Sequence, residues 1–357
     1  MAIVPALRSA GISRVHLESS PMTNLAFIGC AHIHTPGFIH NINRRTDSVC
    51  VKYVWDHDLE RASRRAAELP GAVVEASLEA ILADSEIAAV IVCTETNRHI
   101  DIVPKVAAAG KHVFVEKPLG FTGADAKVMA EAIESAGVLF STGYFSRGDA
   151  KLRFVKEQIE KGSFGKITRA RMSNCHSGAL GGWFDGEWRW MADPSIAGCG
   201  GFGDLGTHVL DILLWLFGPV AQATGQLDSG TARYEGCDET GEGMLRFESG
   251  VIATLAAAWD DIADPVRLLV SGTEGHAAII QDKLYFQSKH VPTMDGSQPV
   301  RTAELPGPIP AGLDAFLDRV CGKSDDAPLV GASEAAYRNL VMEAIYQGAK
   351  ESRWIRL

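Results

Sequence analysis

From Asn24 onward, short apolar runs alternate with longer stretches of mixed polarity, at a period that suits strand–helix units. Leu25 to Gly29 reads as a strand, Thr35-Pro36 opens a helix to about Arg45, and Val49 to Trp55 is a second strand ending at Asp56. Leu59 to Leu69 is an alanine- and arginine-rich helix, and Ser77 is placed to cap another that runs to Leu82. A buried strand (Ala88 to Cys93), a helix (Asn97 to Ala109), a strand (Lys111 to Val115), a helix (Thr122 to Ala136) and a strand (Val138 to Thr142) continue the series. This pattern predicts an α/β Rossmann domain, a doubly wound parallel sheet, over 23–144.

After Arg147 the pattern changes. A helix (Ala150 to Lys161) leads to a strand (Ile167 to Asn174), a glycine- and tryptophan-rich loop (His176 to Gly201) and a very apolar helix ending at Phe217. From Val220 to about Val300, β-branched runs are separated by Ser229-Gly230, Ser249-Gly250 and Thr273-Glu274-Gly275, which predicts antiparallel strands. Two helices, Leu313 to Cys321 and Ser333 to Lys350, close the chain. Residues 145–357 are therefore expected to form an α+β domain with a large open, mainly antiparallel sheet. A broad face of such a sheet is a candidate for pairing with another copy.

Charge and composition narrow the partners. A formal net charge of −10 without a basic stripe argues against nucleic acid. The apolar run from Ile212 to Phe217, broken by Asp211 and Gly218, is far short of the roughly 18 residues a membrane span needs. Seven scattered cysteines with no CxxC pair fit reduced thiols in a cytoplasm better than a disulfide framework or a zinc site. Residues 1–22 lack a signal-type apolar core and read as an extension, either a disordered arm or a consequence of start-site choice. A small molecule is the expected ligand.

Candidate chemistry gathers at strand ends. Glu116-Lys117-Pro118 falls where the fifth strand stops, the place at which open α/β sheets bind ligands; a charged pair on a solvated turn is the alternative. The first strand ends in Gly29-Cys30-Ala31-His32-Ile33-His34, where a dinucleotide fold wants G-x-G-x-x-G. Only the first glycine is present, Ala31 is small enough for close approach, and His34 must swing aside or donate to phosphate itself. Asp56, at the end of the second strand, is placed to accept both adenosine-ribose hydroxyls and to repel a 2′-phosphate, which favours NAD; capping the next helix is its alternative. Arg61, Arg64 and Arg65 downstream keep NADP open.

In the second half, a helix beginning at Asp204 would place Asp204, His208 and Asp211 on one face of an otherwise apolar cylinder. Buried ionisable groups are costly unless paired, so this face suggests a polar pocket. Between the two regions lies Gly181-Gly182-Trp183-Phe184-Asp185-Gly186-Glu187-Trp188-Arg189-Trp190. It reads either as a hydrophobic lid or as an aromatic platform for a sugar, with Asp185, Glu187 and Arg189 on hydroxyls. His32-Ile33-His34 has the H-x-H form of metal-dependent barrel hydrolases, but the antiparallel second half cannot supply the other strand-end ligands, so no metal is expected.

Four segments together resemble the glucose–fructose oxidoreductase, inositol dehydrogenase and rhizopine-catabolism (Gfo/Idh/MocA) family. They are Ala89 to Thr94 with Asn97 and His99, Ala109 to Val113, Glu116-Lys117-Pro118, and Gly201 to Asp211. The resemblance implies an NAD(P)-dependent oxidoreductase of sugars or cyclitols, a homodimer or homotetramer joined through the second domain's sheet, with catalytic roles for Lys117, Asp204 and His208. It implies cofactor contacts at Gly29, Ala31, His32, Ile33, His34, Asp56, Thr94, Asn97, His99, Glu116 and Lys117. Substrate contacts are expected at Lys117, Trp183, Arg189, Trp190, Asp204 and His208. Ala31 and His34 depart from the fuller glycine motif of most relatives. Two other functions stay open: a nucleotide- or sugar-sensing protein without turnover, and a lyase or hydrolase that uses tightly bound NAD transiently.

Overall fold

A computed structural model describes residues 22–323 and 328–357; the extension expected over 1–22 lies, apart from Met22, outside the described residues. The first region alternates β1 (Thr23–Ile28), α1 (Thr35–Ile42), β2 (Val49–Trp55), α2 (Leu59–Ala67), β3 (Val73–Val74), α3 (Leu78–Ala83), β4 (Ile87–Val92), α4 (His99–Ala108), β5 (His112–Val115), α5 (Gly123–Ala136) and β6 (Phe140–Thr142). The strands form one parallel sheet in the order β3-β2-β1-β4-β5-β6. Successive strand residues point to opposite faces. Leu25, Phe27, Ala89 and Ile91 accordingly enter one core and Ala26, Ile28, Val90 and Val92 the other. Both faces are covered, which is why β4 reads as an unbroken apolar run.

The second region contains α6 (Ala150–Glu160), β7 (Ile167–Cys175), α7 (Pro194–Ala197), α8 (Gly201–Phe217), β8 (Val220–Asp228), β9 (Thr240–Phe247), β10 (Ile252–Ala258), β11 (Val266–Gly272), β12 (Gly275–Ile280), β13 (Lys283–Ser288), β14 (Asp295–Pro299), α9 (Leu313–Val320), α10 (Ala332–Glu351) and β15 (Ile355–Arg356). Its nine-stranded sheet runs β14-β13-β12-β11-β7-β10-β9-β8-β15. The β7–β10 pair is parallel and the other pairs are antiparallel. The sheet is therefore mixed but mainly antiparallel, as the turn pattern predicts.

The chain's end does not stay with the second sheet. Leu313, Phe316 and Leu317 of α9 pack into the β1–β2 face of the first core, and Val330, Ala332 and Ala335 join the opposite face. α9 and the start of α10 are therefore packing elements of the first sheet, although they follow the second in sequence.

α8 lies between the two regions and is buried almost all round. Glycines at its start make this approach feasible: a Cβ on Gly201 would lie 2.8 Å from Trp259 and one on Gly203 2.4 Å from Cys199. Asp211 of α8 has a structural task. It accepts Arg147 Nη2 at 2.7 Å and Arg338 Nε at 2.8 Å, tying α8 to α10 and to the turn after β6. All three side chains are buried. Asp211→Asn leaves the two guanidinium groups with the half-exposed Glu334 carboxylate in place of a buried one, and urea unfolding should show a loss of about 3 kcal/mol, the low end for breaking a buried pair.

Candidate active site

Lys117 follows the last residue of β5 by two positions, and Glu116 N donates to Val92 O at 2.9 Å to continue the ladder. The Lys117–Pro118 peptide is cis. Its side chain leaves the first sheet and meets α8: Nζ donates to Asp204 Oδ1 at 2.5 Å and to Asp204 O at 3.2 Å. Asp204 stands in the first turn of α8, where the helix dipole favours an anion. Its other oxygen accepts Trp259 Nε1 at 3.1 Å. Trp259 is itself fixed by stacking on Phe184, with ring centroids 3.9 Å apart. Burial pushes the Asp204 carboxyl up, but the Lys117 ammonium and its hydrogen bond more than offset this and hold it at about 2.

His208 lies one turn further along α8, its ring against Tyr144 (5.8 Å) and Phe145 (5.2 Å). Burial, reinforced by the nearby Lys117 ammonium, drives its pKa well below the ordinary value, so the imidazole is neutral. Its Nδ1 is buried and has no hydrogen-bond partner. His176, one residue past β7, accepts Gly178 N on Nδ1 at 3.0 Å and stacks on Trp183 at 4.7 Å. Burial lowers its pKa as well.

The cofactor side begins at Gly29, whose φ of +80° turns the chain so close to β4 that a Cβ would sit 2.1 Å from Thr94 Cγ2. Ala31 is buried, and its carbonyl accepts Trp190 Nε1 at 3.0 Å, so the aromatic loop rests on the turn. His34 does not swing away. Its Nδ1 lies 3.1 Å from Glu116 Oε1, while Lys117 N donates to Glu116 Oε2 at 2.9 Å and His32 Nε2 lies 3.8 Å from that oxygen. Burial raises the Glu116 pKa, yet His32 and His34 hold it well below the carboxylate range. Burial takes His32 down to about 3, against the pull of Glu116.

His32, His34 and Glu116 have the composition of a metal site, their ligand atoms lying within 4.8 Å of one another. The hydrogen bonds argue otherwise. His32 Nδ1 accepts the His34 amide at 3.2 Å, so the neutral ring carries its proton on Nε2, the nitrogen that faces Glu116. A metal-bound imidazole needs the reverse, a lone pair toward the ion and a proton on the far nitrogen. These residues instead make Glu116 the hub that joins the cofactor turn to the lysine.

Other sequence-nominated residues separate into groups. His99 Nδ1 lies 3.0 Å from Leu119 O and braces the backbone beyond Pro118, and Asn97 is exposed. Thr94 is buried with Oγ1 lacking a partner. Asp58, not Asp56, caps α2. Asp56 accepts Cys30 N at 2.7 Å and pairs with both Arg61 Nε and Nη2 at 2.8 Å. In the aromatic loop, Asp185 pairs with Arg233, Glu187 accepts Arg64 and Arg65, and Arg189 lies 4.9 Å over the Tyr234 ring. Those three are thus engaged within the protein, while Trp183 remains exposed.

The geometry brings a lysine from a Rossmann sheet and an aspartate and histidine from a buried helix into one cluster. Residues 23–144 match the model of the "Oxidoreductase family, NAD-binding Rossmann fold", and residues 152–278 match the "GFO/IDH/MocA C-terminal domain". The chain belongs to the Gfo/Idh/MocA family. Among its relatives, levoglucosan dehydrogenase of Pseudarthrobacter phenanthrenivorans is 28% identical over 55% of this chain and 56% of its own. The 1,5-anhydro-D-fructose reductase of Ensifer adhaerens is 32% identical over 56% and 59%, and the scyllo-inositol 2-dehydrogenase (NAD(+)) of Bacillus subtilis 29% over 55% and 56%. The chain thus spans little more than half the length of these curated relatives. A levoglucosan dehydrogenase solved with NADH and L-sorbose shares the fold at a TM-score of 0.79 and 21% identity, over 94% of this chain and 98% of that one.

As a member of this family, the first region is an NAD-binding Rossmann fold, and its residues fit that group. The turn at Gly29 lies against β4, and Thr94 Oγ1 and Glu95 Oε2, at the end of that strand, are buried polar atoms without hydrogen-bond partners. Sequence reasoning missed Trp259, His176 and Glu95. His176 and Glu95 had one available signal, their position at the carboxyl end of a strand; Trp259 had none.

His32, His99 and His208 all have pKa values lowered by burial from the ordinary 6.5. The unfolded chain protonates them near that pH and the folded chain does not, so the unfolded state binds more protons and stability falls as pH drops below 6.5. Each such histidine contributes a slope of about 1.4 kcal/mol per pH unit there. Urea unfolding followed from about pH 7.5 to about pH 5 should show His208→Gln losing one such increment of slope; an unchanged slope would mean that His208 is solvated.

Proposed function

We propose that the chain is a dehydrogenase that uses NAD(H) to interconvert a secondary alcohol and a ketone on a sugar, glycoside or cyclitol. The observation that carries this reading is the buried Lys117–Asp204 pair with neutral His208 beside it, at the carboxyl edge of a Rossmann sheet. The activities for which the relatives are named, on levoglucosan, 1,5-anhydro-D-fructose and scyllo-inositol, support the substrate class. Bound NAD supplies the acceptor or donor of the hydride; Gly29, Ala31, Ile33 and Thr94 would hold it. Everything else falls to the chain's own side chains.

Lys117, held in place by Asp204, hydrogen-bonds the reacting oxygen and stabilises negative charge as it develops there. His208, neutral and with an unpartnered Nδ1, accepts the hydroxyl proton in oxidation and returns it in reduction. Asp204 and Trp259 fix the direction of the ammonium. Trp183 and His176 form an aromatic wall that suits the C–H face of a sugar ring. Exposed Met244, Ile252 and Val266 on the nine-stranded sheet support assembly of copies through that face.

Nicotinamide absorbance with levoglucosan, myo-inositol and scyllo-inositol as probes tests the reading. Lys117→Ala and His208→Ala should each lower kcat/KM by roughly a hundredfold or more, and near-normal rates in both would remove the site. Because His208 is already neutral, the wild-type rate should stay level as pH falls through about 6.5, where an ordinary histidine base would begin to lose activity.

A further inference from the structure

A second group of ionisable side chains occupies the corner where β1, β2 and β4 end, apart from the Lys117 cluster. The sequence pattern assigns Asp56 there to the adenosine ribose, but its carboxylate has no room. A carboxylate offers about four acceptor positions. Cys30 N and Arg61 Nε take Oδ2 at 2.7 and 2.8 Å, and Asp58 N and Arg61 Nη2 take Oδ1 at 2.9 and 2.8 Å. His57 Nδ1 lies 3.2 Å from Oδ1 as well. Two of these donors are backbone amides of the turns after β1 and β2 and cannot leave without undoing those turns.

Glu95, in the turn after β4, is in the opposite condition. Oε1 accepts Arg61 Nη2 at 3.0 Å and lies 3.6 Å from His57 Nε2. Oε2 is buried and accepts no hydrogen bond, although Arg98 Nε lies 3.4 Å from it. Buried carboxylate oxygens without donors are rare and call for a partner. A ribose hydroxyl is such a donor, and the corner at the carboxyl ends of these strands is where an open α/β sheet receives its nucleotide.

We propose that Glu95, rather than Asp56, accepts the 2′-hydroxyl of the adenosine ribose, and that Asp56 is a positioning residue that holds Arg61 behind it. The proposal rests on the cofactor reading above and assigns its specificity. A 2′-phosphate offers Glu95 no neutral donor and brings like charge against it. The cations that could compensate already face carboxylates, Arg98 among them at 3.4 Å from Glu95 Oε2. Arg61 is shared by Asp56 and Glu95, Arg65 is bonded to Glu68 and Glu187, and Arg64 to Glu60 and Glu187. A site built to bond a hydroxyl rejects analogues that lack it.

The test is fluorescence titration of the full chain with NADH, NADPH and the 2′-deoxyadenosine analogue of NADH. In the wild type, NADH should bind at least about tenfold more tightly than either analogue. Glu95→Ala, which removes the acceptor as well as the charge, should bind NADH and the deoxy analogue alike and should shrink the NADPH penalty by about tenfold, while Glu95→Asp, which keeps the charge, retains the wild-type order. Thermal melting of each variant checks that it is folded. Glu95→Ala that keeps the full penalty against the deoxy analogue overturns the assignment and returns the hydroxyl to Asp56. Wild-type protein that binds neither dinucleotide fails differently, since that result removes the cofactor reading together with this one.

Discussion

The ion pair between Lys117 and Asp204 is the constraint on which the arrangement depends. Its partners come from different sheets, both are withdrawn from water, and the contact is 2.5 Å. Removing two charges from water is costly, and their attraction offsets that cost only when geometry is good and the remaining lone pairs are satisfied. Trp259 satisfies one of those lone pairs, the backbone carbonyl of Asp204 takes a second ammonium proton, and Phe184 stacks behind the indole. The pair therefore requires α8 to lie against the end of β5 and Trp259 to stand behind α8. The glycines at the start of α8 are the steric condition for both.

The same helix shows why position, not residue type, decides a carboxylate's role. Asp204 and Asp211 are two turns apart on an apolar cylinder, and both are paired. Asp211 faces two guanidinium groups that also share Glu334, so its charge is spent on joining α8, α10 and the turn after β6. Asp204 faces a single ammonium, that of Lys117, which it binds through both its side chain and its backbone carbonyl. Periodicity places both on one face, but it cannot say which cation each will meet, because Arg147 and Arg338 are far away in sequence.

Much of the fold could be read from the chain because local signals agree with the tertiary outcome. β2 is as expected at both ends, since an apolar run terminates at a polar Asp56 and a capped helix follows. β3, α7 and β15 are too short to carry a period, and the parallel β7–β10 pairing is a long-range choice that no turn residue announces. In the site, Lys117, Asp204 and His208 were legible as residues at strand and helix ends. Asp56 was legible as a polar strand end, while its saturation by Cys30, Asp58 and Arg61 depends on side-chain directions. Trp259 was invisible for the same reason.

Burial then divides labour among the remaining groups. His32, His176 and His208 surround the lysine, and each has its pKa lowered chiefly by loss of solvent. A low-dielectric pocket tolerates one paired cation far better than several unpaired ones. The imidazoles therefore stay neutral, while the lysine nitrogen has a carboxylate at hydrogen-bonding distance. One group is left to donate to an oxygen and others to accept from one, at pH values where free histidine would be mixed. That asymmetry is what alcohol–ketone chemistry needs, and here it follows from how deeply α8 is buried.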